Sequence, residues 1–542
     1  MTSFIEDFEK LRITLQDRMS NTPNRGPQLD WNTFPTWSTR FVVSFSNPLE
    51  LAENPAQLIQ KIADAASTKD RVDLLLNNRL MKQKMEEAVK KAMDYVNSNE
   101  SSQNAKNLTE SRQFMKQGSE LLKQNKVKEA LECFNRGIAC SPFPQENEAT
   151  PGQTNLAMCL VKRSRFHQSL KKYPESWLDM KDAIEFMPDP RLKEELLRSK
   201  RNLMVEIASK DGRQPVDPDV AEMDFESWDI NLKPENRNLH GAIESLELRW
   251  SEEKGRCIRT TRPLRPNTNI IAELPYAAWL QPTHYEFYCA YCLKPLDYRS
   301  FPCRQCKMIS YCSSKCSEAA WTSYHSKECK YLPVLRHLAM GHLALKILLI
   351  TGFDEAIEIH RNPPPASRHQ RKFLNTFRDV YTLMDSPHVF DAPKLTSFTA
   401  CAVFMALLTH AMGLIEEQQI DVIADIYLKL IDQIVLNGLA IYDDRGLDSQ
   451  GIWSYNSSGV SKKIGIGLYA TTSLLSHSCN ANCDRIFIGS KVVISTKKVI
   501  SKDSEITISY GPSMVQGYKA RRKDIKENYY FDCLCDVCKT KQ

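Results

Sequence analysis

The chain has 542 residues, of which 42% are hydrophobic and 25% are charged, and it contains 17 cysteines. These values are ordinary for a globular protein and exclude a wholly disordered chain or a collagen-like fibre, and the length is enough for about three or four domains. The formal net charge of +6 is too small to indicate nucleic-acid binding by itself.

The start of the chain and its cysteines predict a protein that is not exported. The first 20 residues mix charged and apolar side chains and lack the apolar core of a signal peptide. Clustered cysteines without an export signal are typical of metal sites. The uncharged run Leu395 to Ile415 is diluted by threonines, a serine, a histidine and a glycine, which favours a buried core helix over a membrane span. We therefore expect no membrane partner.

Residues 1–100 are polar and mixed in composition. Helical periodicity runs from Lys61 to Tyr95. The sequence predicts a helical N-terminal region there and assigns it no function.

A helix-pair repeat is predicted within residues 101–210. Small residues, an aromatic residue and a proline recur at tetratricopeptide spacing, which lets two antiparallel helices approach closely. The first copy is marked by Gly118, Leu121, Ala130, Phe134 and Pro142, and a weaker second copy by Ser164, Tyr173, Ser176, Ala183 and Pro188. A closing helix is expected over 191–207. An unrelated helical hairpin is the alternative. Basic residues outnumber acidic ones here. The excess indicates either an acidic peptide partner or a basic face exposed to solvent.

The rest of the chain alternates strand-like and helical sequence. The predicted regions are a linker (211–240), a strand region that includes the KGRC turn (241–288), a cysteine-rich segment (289–329), a helical region (330–455), short strands (456–511) and a C-terminal segment (512–542). Within these, helical sequence runs to about 445, with a proline-rich loop at 362–367, and a basic helix is expected over 518–528.

Four pairs of metal-binding residue types lie between residues 289 and 329. Two or three residues lie between the members of each pair, so both side chains can reach one ion. Eight ligands satisfy two tetrahedral zinc ions, and metal binding would supply much of the folding energy of so short a segment. The predicted split is interleaved: Cys289, Cys292, Cys312 and Cys316 on one ion, and Cys303, Cys306, His325 and Cys329 on the other.

A further cysteine group lies at the C-terminus, with Cys533, Cys535 and Cys538. Three thiolates leave a tetrahedral zinc one ligand short. Cys479 is the predicted fourth ligand and Cys483 the competitor. The alternative is a redox-active or exposed thiol group. If zinc binds here, it attaches the C-terminal segment to the strand region.

Together these motifs resemble the SET-and-MYND-domain family of protein lysine methyltransferases. The finger spacing is similar to a MYND zinc finger, and SLLSHSCNANC (473–483) resembles the family's SLLNHSCxPN segment. EITISYGP (505–512) is similar to the catalytic tyrosine strand, and NYYFDCLCDVC (528–538) to the lead into the post-SET zinc site. The resemblance covers about residues 240–542, and the repeats in front are similar to those of the family's repeat-carrying branch.

The resemblance implies an α+β fold and a methyl-transfer activity. The implied architecture is N-terminal tetratricopeptide-like helical repeats, a mostly β SET core with an inserted MYND finger and a helical insertion, and a C-terminal post-SET zinc site. The implied activity is S-adenosylmethionine-dependent methylation of a lysine in a histone or another protein, with three structural zinc ions. We expect peptide partners for the finger and the repeats, a monomer, and a location in the nucleus and cytoplasm.

The family's site residues carry over by position. Cofactor contacts are implied for Gly255, Arg256, Asn437, Ser476 and His477. Tyr510 matches the tyrosine whose hydroxyl orients the amine, and Tyr529 and Phe531 match the aromatic walls of the lysine channel. For Asn437 a helix C-cap before Gly438 is an equal alternative, and for any single tyrosine strand packing is the alternative.

Three positions depart from the family pattern. Ser476 stands in place of an Asn, Ala481 in place of a Pro, and Cys257 where Gly is common. Losing one hydrogen bond to the cofactor would cost about 1 kcal/mol. The departures keep open a second interpretation, a scaffold that recruits partners to transcriptional complexes with a weakened or inactive SET domain. A DNA-binding regulator is disfavoured by the small net charge.

Overall fold

The computed structural model describes residues 55–99, 105–143, 151–211, 230, 232–251, 255–364, 372–443, 445–447, 453–455, 462–511 and 517–541. Most of the predicted linker lies outside the described residues, as do the first 54 residues. Within the described part, N-terminal helices precede a core of short strands and long helices, so the predicted α+β fold class is confirmed.

Three helices open the described chain: α1 (Pro55–Asp64), α2 (Thr68–Leu76) and α3 (Arg79–Asn99). Ser67 caps α2, since its side chain accepts the Asp70 amide at 3.0 Å and Asp70 accepts the Ser67 amide at 3.1 Å. The apolar faces of these helices pack against two long helices of the C-terminal half. Ile62, Val72 and Leu75 are fully buried in this contact, so residues 55–99 complete the main core.

Five helices follow: α4 (Leu108–Lys123), α5 (Val127–Cys140), α6 (Pro151–Ser169), α7 (Tyr173–Phe186) and α8 (Pro190–Asp211). They form two antiparallel hairpins and a closing helix at the predicted positions. A Cβ atom added at Gly118 would lie 2.8 Å from the Phe134 ring. The glycine therefore permits the close α4–α5 approach that the repeat pattern requires.

The strands form several small sheets. They are β1 (Leu246–Ser251), β2 (Gly255–Thr260), β3 (Asn269–Glu273), β4 (Ala277–Leu280), β5 (Phe301–Pro302), β6 (Ser310–Tyr311), β7 (Leu439–Asp443), β8 (Arg445–Leu447), β9 (Trp453–Tyr455), β10 (Lys462–Leu468), β11 (Ser476–His477), β12 (Cys483–Ile488), β13 (Lys491–Thr496) and β14 (Thr507–Ile508). The three-stranded sheets have the orders β4-β10-β7 and β12-β13-β3. All ladders between these strands are antiparallel except β11 with β14. Each three-stranded sheet joins strands from both sides of the cysteine-rich segment and the helical region.

The remaining α-helices of five residues or more are α9 (Ser314–Ala320), α10 (Ala339–Thr351), α11 (Phe353–Arg361), α12 (Phe377–Tyr381), α13 (Ala392–Ala411), α14 (Ile420–Asn437) and α15 (Tyr518–Tyr529). A five-residue π-helix spans Trp321–His325. Shorter helical segments span Pro282–His284, Ser326–Glu328, Cys329–Tyr331, Leu332–Leu335, Pro387–Val389, Glu417–Gln419, Thr472–Leu474 and Asp536–Lys539. Helix α13 is long and apolar enough to cross a membrane, but 72% of its most apolar window is buried inside the protein. This burial is typical of a core helix.

The prediction that helical sequence continues to about 445 is wrong at its end. Helix α14 stops at Asn437, and residues 439–443 form β7, which pairs with β10. A Cβ atom at Gly438 would lie 2.5 Å from the Ile434 carbonyl oxygen, so this close turn needs glycine. The alternating burial of Leu439, Ile441 and Asp443 is the strand pattern that the helical interpretation overlooked.

A buried ion-pair network joins the repeats to the cysteine-rich finger. Asp179 on α7 accepts two hydrogen bonds from Arg163 at 2.7 and 2.8 Å and one from Arg299 of the finger at 2.9 Å. Asp179 and Arg163 are fully buried and Arg299 is nearly so. Burial by itself raises the pKa of Asp179, but the two guanidinium groups outweigh it and lower that pKa. The finger is therefore attached to the repeats by a shared carboxylate.

Asp179→Asn should destabilise this junction strongly. Arg299 keeps the buried carboxylate of Asp182 as a partner, but the substitution leaves the buried Arg163 guanidinium without a carboxylate partner. This costs about 3–5 kcal/mol and should lower the thermal unfolding midpoint measured by circular dichroism. Glu120→Gln is the control, since the Glu120–Lys123 pair is exposed and such pairs contribute about 1 kcal/mol or less. Equal midpoints for the two variants would contradict the account.

Candidate functional site

The finger residues form two separate clusters of ligand atoms. The first finger cluster contains Cys289, Cys292, Cys312 and Cys316, and the second contains Cys303, Cys306, His325 and Cys329. Within each cluster all ligand atoms lie within 4.8 Å of one another. The structure thus brings the eight residues together in the interleaved arrangement that the spacing predicts.

The second finger cluster has a buried outer layer. The Nε2 atom of His325 faces the Cys303 sulfur at 3.2 Å, and its Nδ1 atom lies 3.1 Å from Glu328. Glu328 also contacts His342 at 2.8 Å. Burial opposes its ionisation, but His342 and Lys346 hold the pKa of Glu328 well below its usual range. A charged carboxylate therefore orients the His325 ring, as carboxylates commonly do for metal-binding histidines.

The C-terminal cluster contains Cys479, Cys533, Cys535 and Cys538. The Cys479 sulfur lies 3.9 Å from that of Cys533 and 3.6 Å from that of Cys538. Cys483, the competitor for the fourth position, is a buried residue of β12 and is not in the cluster. The structure therefore places Cys479 at the fourth position.

The donor sets and their spacing fit zinc. A tetrahedral site with Zn–S bonds of about 2.3 Å separates its sulfur atoms by about 3.8 Å. The sulfur–sulfur contacts in the three clusters run from 3.5 to 3.9 Å. A disulfide would bring two sulfurs to about 2.0 Å, so the clusters have the geometry of metal sites and not of disulfides.

An aromatic group lies next to the C-terminal cluster. The ring of Tyr510 lies 5.0 Å from that of Tyr529 and 6.3 Å from that of Phe531, and His477 lies 5.2 Å from Tyr510. The Tyr529 hydroxyl donates to the Tyr510 carbonyl at 2.5 Å. Burial raises the pKa of Tyr510, and it raises that of Tyr529 to about 12. Both phenols are therefore neutral at physiological pH.

His477 links this aromatic group to the C-terminal cluster. Its Nδ1 atom accepts the Tyr510 amide at 3.1 Å, and its Nε2 atom faces the Cys479 sulfur at 3.4 Å. Burial lowers the pKa of His477 to about 4, so the ring is neutral and its single proton lies on Nε2. Both ring nitrogens are thus used within the protein, and a cofactor contact at His477 would be made by its backbone.

The Tyr510 hydroxyl points back to the motif segment. It donates to the Leu475 carbonyl at 2.6 Å, and Ser476 and His477 form the parallel β11–β14 pair with the strand that leads to Tyr510. Because the hydroxyl proton is used, the lone pairs of that oxygen are available as acceptors. This is the arrangement needed to receive an N–H group.

Two of the other predicted cofactor residues, Arg256 and Asn437, contact the same segment, residues 382–384. Arg256 donates to the Thr382 carbonyl at 2.6 Å and Asn437 to the Met384 carbonyl at 2.8 Å. Strand β2, which begins at Gly255, lies against the turn 472–474, and Ser473 donates to the Asn437 carbonyl at 3.1 Å. Asn437 also donates to Gln433 one helical turn back. Asn437 therefore hydrogen-bonds within the last turn of its own helix and also to the segment 382–384.

Gly255 and Ser476 are the two predicted cofactor residues with little or no side chain. Gly255 has φ of +71°, and a Cβ atom there would meet only the Trp250 ring, at 3.8 Å. A left-handed φ of this kind favours glycine. The half-buried Ser476 side chain makes no hydrogen bond among the described residues. Neither residue therefore carries a long side chain that would keep a polar ligand away from the backbone.

Sequence reasoning missed two contributors. Asn482 accepts the Thr507 amide at 2.8 Å and donates to the Glu505 carbonyl at 2.7 Å, which positions the strand before Tyr510. It is the last Asn of the 473–483 motif, so its position there was an available signal. The segment 382–384 has no motif of its own, and only the folded chain brings it to Arg256 and Asn437.

Comparison with known proteins identifies this region. A family model of the SET domain matches residues 255–511. The chain is 37% identical over 79 residues to histone-lysine N-methyltransferase SMYD3 of Mus musculus, covering 15% of this chain and 18% of that protein. It is 24% identical over 427 residues to protein-lysine N-methyltransferase SMYD4 of Homo sapiens, covering 64% of this chain and 52% of that protein.

A plant protein matches a shorter segment. Histone-lysine N-methyltransferase ASHR1 of Arabidopsis thaliana is 42% identical over 74 residues, covering 14% of this chain and 15% of that protein. The chain thus spans at most about half the length of these curated relatives.

Elemental analysis of the purified protein should find three zinc ions per chain. Cys479→Ser should lower the count to two, because three thiols do not complete the C-terminal cluster. Cys483→Ser is the matched control and should leave three ions bound. A loss of zinc from Cys483→Ser with none from Cys479→Ser would assign the fourth position to Cys483.

Proposed function

Because the chain belongs to the SET-and-MYND-domain family, we propose that it is a protein-lysine N-methyltransferase that uses S-adenosylmethionine. The observation that carries the proposal is the Tyr510 hydroxyl, which donates to the Leu475 carbonyl and keeps its oxygen free to accept. The aromatic rings of Tyr529 and Phe531 stand beside it. The SET-domain match over residues 255–511 includes Tyr510 and Leu475.

The cofactor would lie among Gly255, Arg256, Asn437, Ser476 and the His477 backbone. When bound, S-adenosylmethionine would supply an electrophilic methyl group: a neutral amine would form a bond to the methyl carbon while the carbon–sulfur bond breaks, and the sulfur would leave as a neutral thioether. The Gly255 backbone can approach a ligand closely because no side chain stands in the way. Both N–H groups of the Asn437 amide are committed to carbonyls, so its oxygen would accept from a ligand's amino group.

The aromatic group would bind the lysine. Apolar ring faces exclude water and disfavour an ammonium, which lowers the amine's pKa and leaves its lone pair available. The Tyr510 oxygen would accept an amine N–H and direct the lone pair along the line of attack. Such positioning accounts for a large part of the rate enhancement in displacement reactions.

The three metal clusters would be structural. Each offers four protein ligands, which closes a tetrahedral zinc site and leaves no position for a substrate. The C-terminal cluster would support the reaction indirectly, since Cys479 faces the His477 ring that accepts the Tyr510 amide.

Partners of the finger and the repeats form part of the proposal. A cavity of about 690 Å³ lies between α7, the β3–β4 turn and the finger, and it is lined by Leu178, Leu274 and Tyr291 among others. Leu274 and Tyr291 are exposed apolar groups there, which supports binding of a peptide segment. A monomer that acts in the nucleus and cytoplasm stays our expectation.

The second candidate is a partner-recruiting scaffold whose SET domain is weak or inactive. The replacement of the family's Asn by Ser476 motivates it, because an Asn would offer a paired donor and acceptor there. Cys257, where Gly is common, is fully buried in β2. The two candidates differ in cofactor affinity and turnover.

Tyr510→Phe should lower the rate of methyl transfer from labelled S-adenosylmethionine to lysate proteins about 100-fold, because misorienting a reacting group costs that much. Tyr427→Phe is the matched control. Its hydroxyl is also buried and hydrogen-bonded, but to Thr409 between α13 and α14, and the rate should not change. Equal rates for wild type and Tyr510→Phe would contradict the assigned site.

Ser476→Asn should tighten S-adenosylmethionine binding. A restored hydrogen bond of about 1 kcal/mol corresponds to about fivefold in the dissociation constant, which equilibrium dialysis can resolve. Ser478→Asn, two residues further along the chain, controls for a general effect of the larger amide. Unchanged or weaker binding in Ser476→Asn would contradict the expected hydrogen bond to the cofactor.

A further inference from the structure

Glu273, the last residue of β3, makes an unusual set of contacts. Its Oε1 atom accepts the Thr471 amide at 2.8 Å, and its Oε2 atom accepts the Thr472 amide at 2.8 Å and the Thr472 hydroxyl at 2.6 Å. Hydrogen bonds to a carboxylate are stronger than those between neutral groups. Two consecutive backbone amides, 198 residues away in the chain, are thus fixed by one side chain.

The Glu273 carboxylate is fully buried. Burial raises its pKa to about 7, and the hydrogen bonds from Thr471 and Thr472 act in the opposite direction. Among the described residues its partners are amides and hydroxyls, and it forms no ion pair with a Lys, Arg or His side chain. Burying an acid without a counter-charge is costly, and an apolar side chain would avoid that cost. We therefore look for the role of this carboxylate in the backbone segment whose amides it accepts.

The backbone that Glu273 holds leads directly into the candidate site. The short 3₁₀ turn Thr472–Leu474 follows the two fixed amides. Ser473 in this turn donates to the Asn437 carbonyl at 3.1 Å. The next residue after the turn is Leu475, whose carbonyl accepts the Tyr510 hydroxyl. Since only two residues separate Thr472 from Leu475, a shift of the fixed amides would move that carbonyl.

We propose that Glu273 is a positioning residue for methyl transfer: by fixing the Thr471 and Thr472 amides it sets the Leu475 carbonyl and, through it, the Tyr510 hydroxyl. The inference rests on the proposed function, because it takes that hydroxyl to orient the amine. It adds a residue outside the sequence motifs to the group on which the geometry of the reaction depends.

Glu273→Gln is the informative variant. It keeps the length of the side chain but turns one accepting oxygen into an NH₂ group that faces a backbone or hydroxyl donor. We expect kcat to fall about tenfold while KM for the protein substrate changes less than about twofold. Asp432→Asn is the matched control. Asp432 is also fully buried with a pKa raised to about 7 by burial, but it faces Arg71 between α2 and α14, and kcat should not change.

A double-mutant cycle separates positioning from a general loss of stability. In a Tyr510→Phe background no hydroxyl reaches Leu475, so Glu273→Gln should lower kcat by less than about twofold there. Equal fold-reductions in the two backgrounds would overturn the proposal, because they would show that Glu273 acts independently of Tyr510.

Hydrogen exchange gives a readout that does not need activity. The Thr471 and Thr472 amides should exchange at least about tenfold faster in Glu273→Gln than in wild type or Asp432→Asn, since Glu273 is their acceptor. Unchanged exchange would overturn the proposal. If wild type transfers no methyl group, the proposed function fails, while the exchange rates still show whether Glu273 fixes this segment.

Discussion

The position of one short segment, residues 471–479, determines most of the site. Its first amides are held by the Glu273 carboxylate, and its last residue, Cys479, lies in the C-terminal cluster. Between these two ends, Leu475 accepts the Tyr510 hydroxyl and His477 accepts the Tyr510 amide. A segment without long regular structure is thereby held at both ends by polar contacts, which can define a geometry that apolar packing alone leaves loose.

Buried carboxylates also fix the positions of larger parts of the chain relative to one another. Asp179 joins two guanidinium groups from the repeats and the finger, and Glu328 joins His325 of the second finger cluster to His342 on α10. In both places a carboxylate lies where two parts of the chain meet. Helices α1–α3 add apolar packing against α13 and α14. The finger, the repeats and the SET region are therefore in direct contact, and partner binding at the cavity beside the finger would act on a connected structure.

Local features of the site could be predicted from the sequence, and long-range ones could not. Ligand spacing of two or three residues is sufficient to pair Cys289 with Cys292, and glycine at 118 marks a helix pair, because both depend on neighbours in the chain. The contacts of Glu273 and Asp179 depend on residues far away in the sequence, and neither lies in a motif. The strand at 439–443 was missed because its apolar residues continue those of α14, and only pairing with β10 distinguishes the two structures.

Calorimetric titration of S-adenosylmethionine into the zinc-loaded protein tests the central claim most directly. The convergence of Gly255, Arg256, Asn437 and residues 473–477 predicts saturable heat with one molecule bound per chain. The titration should be made on protein shown to hold its zinc, because the C-terminal cluster supports His477 and Tyr510. No detectable heat from such protein, at concentrations where a control methyltransferase binds, would contradict the assignment and favour the scaffold.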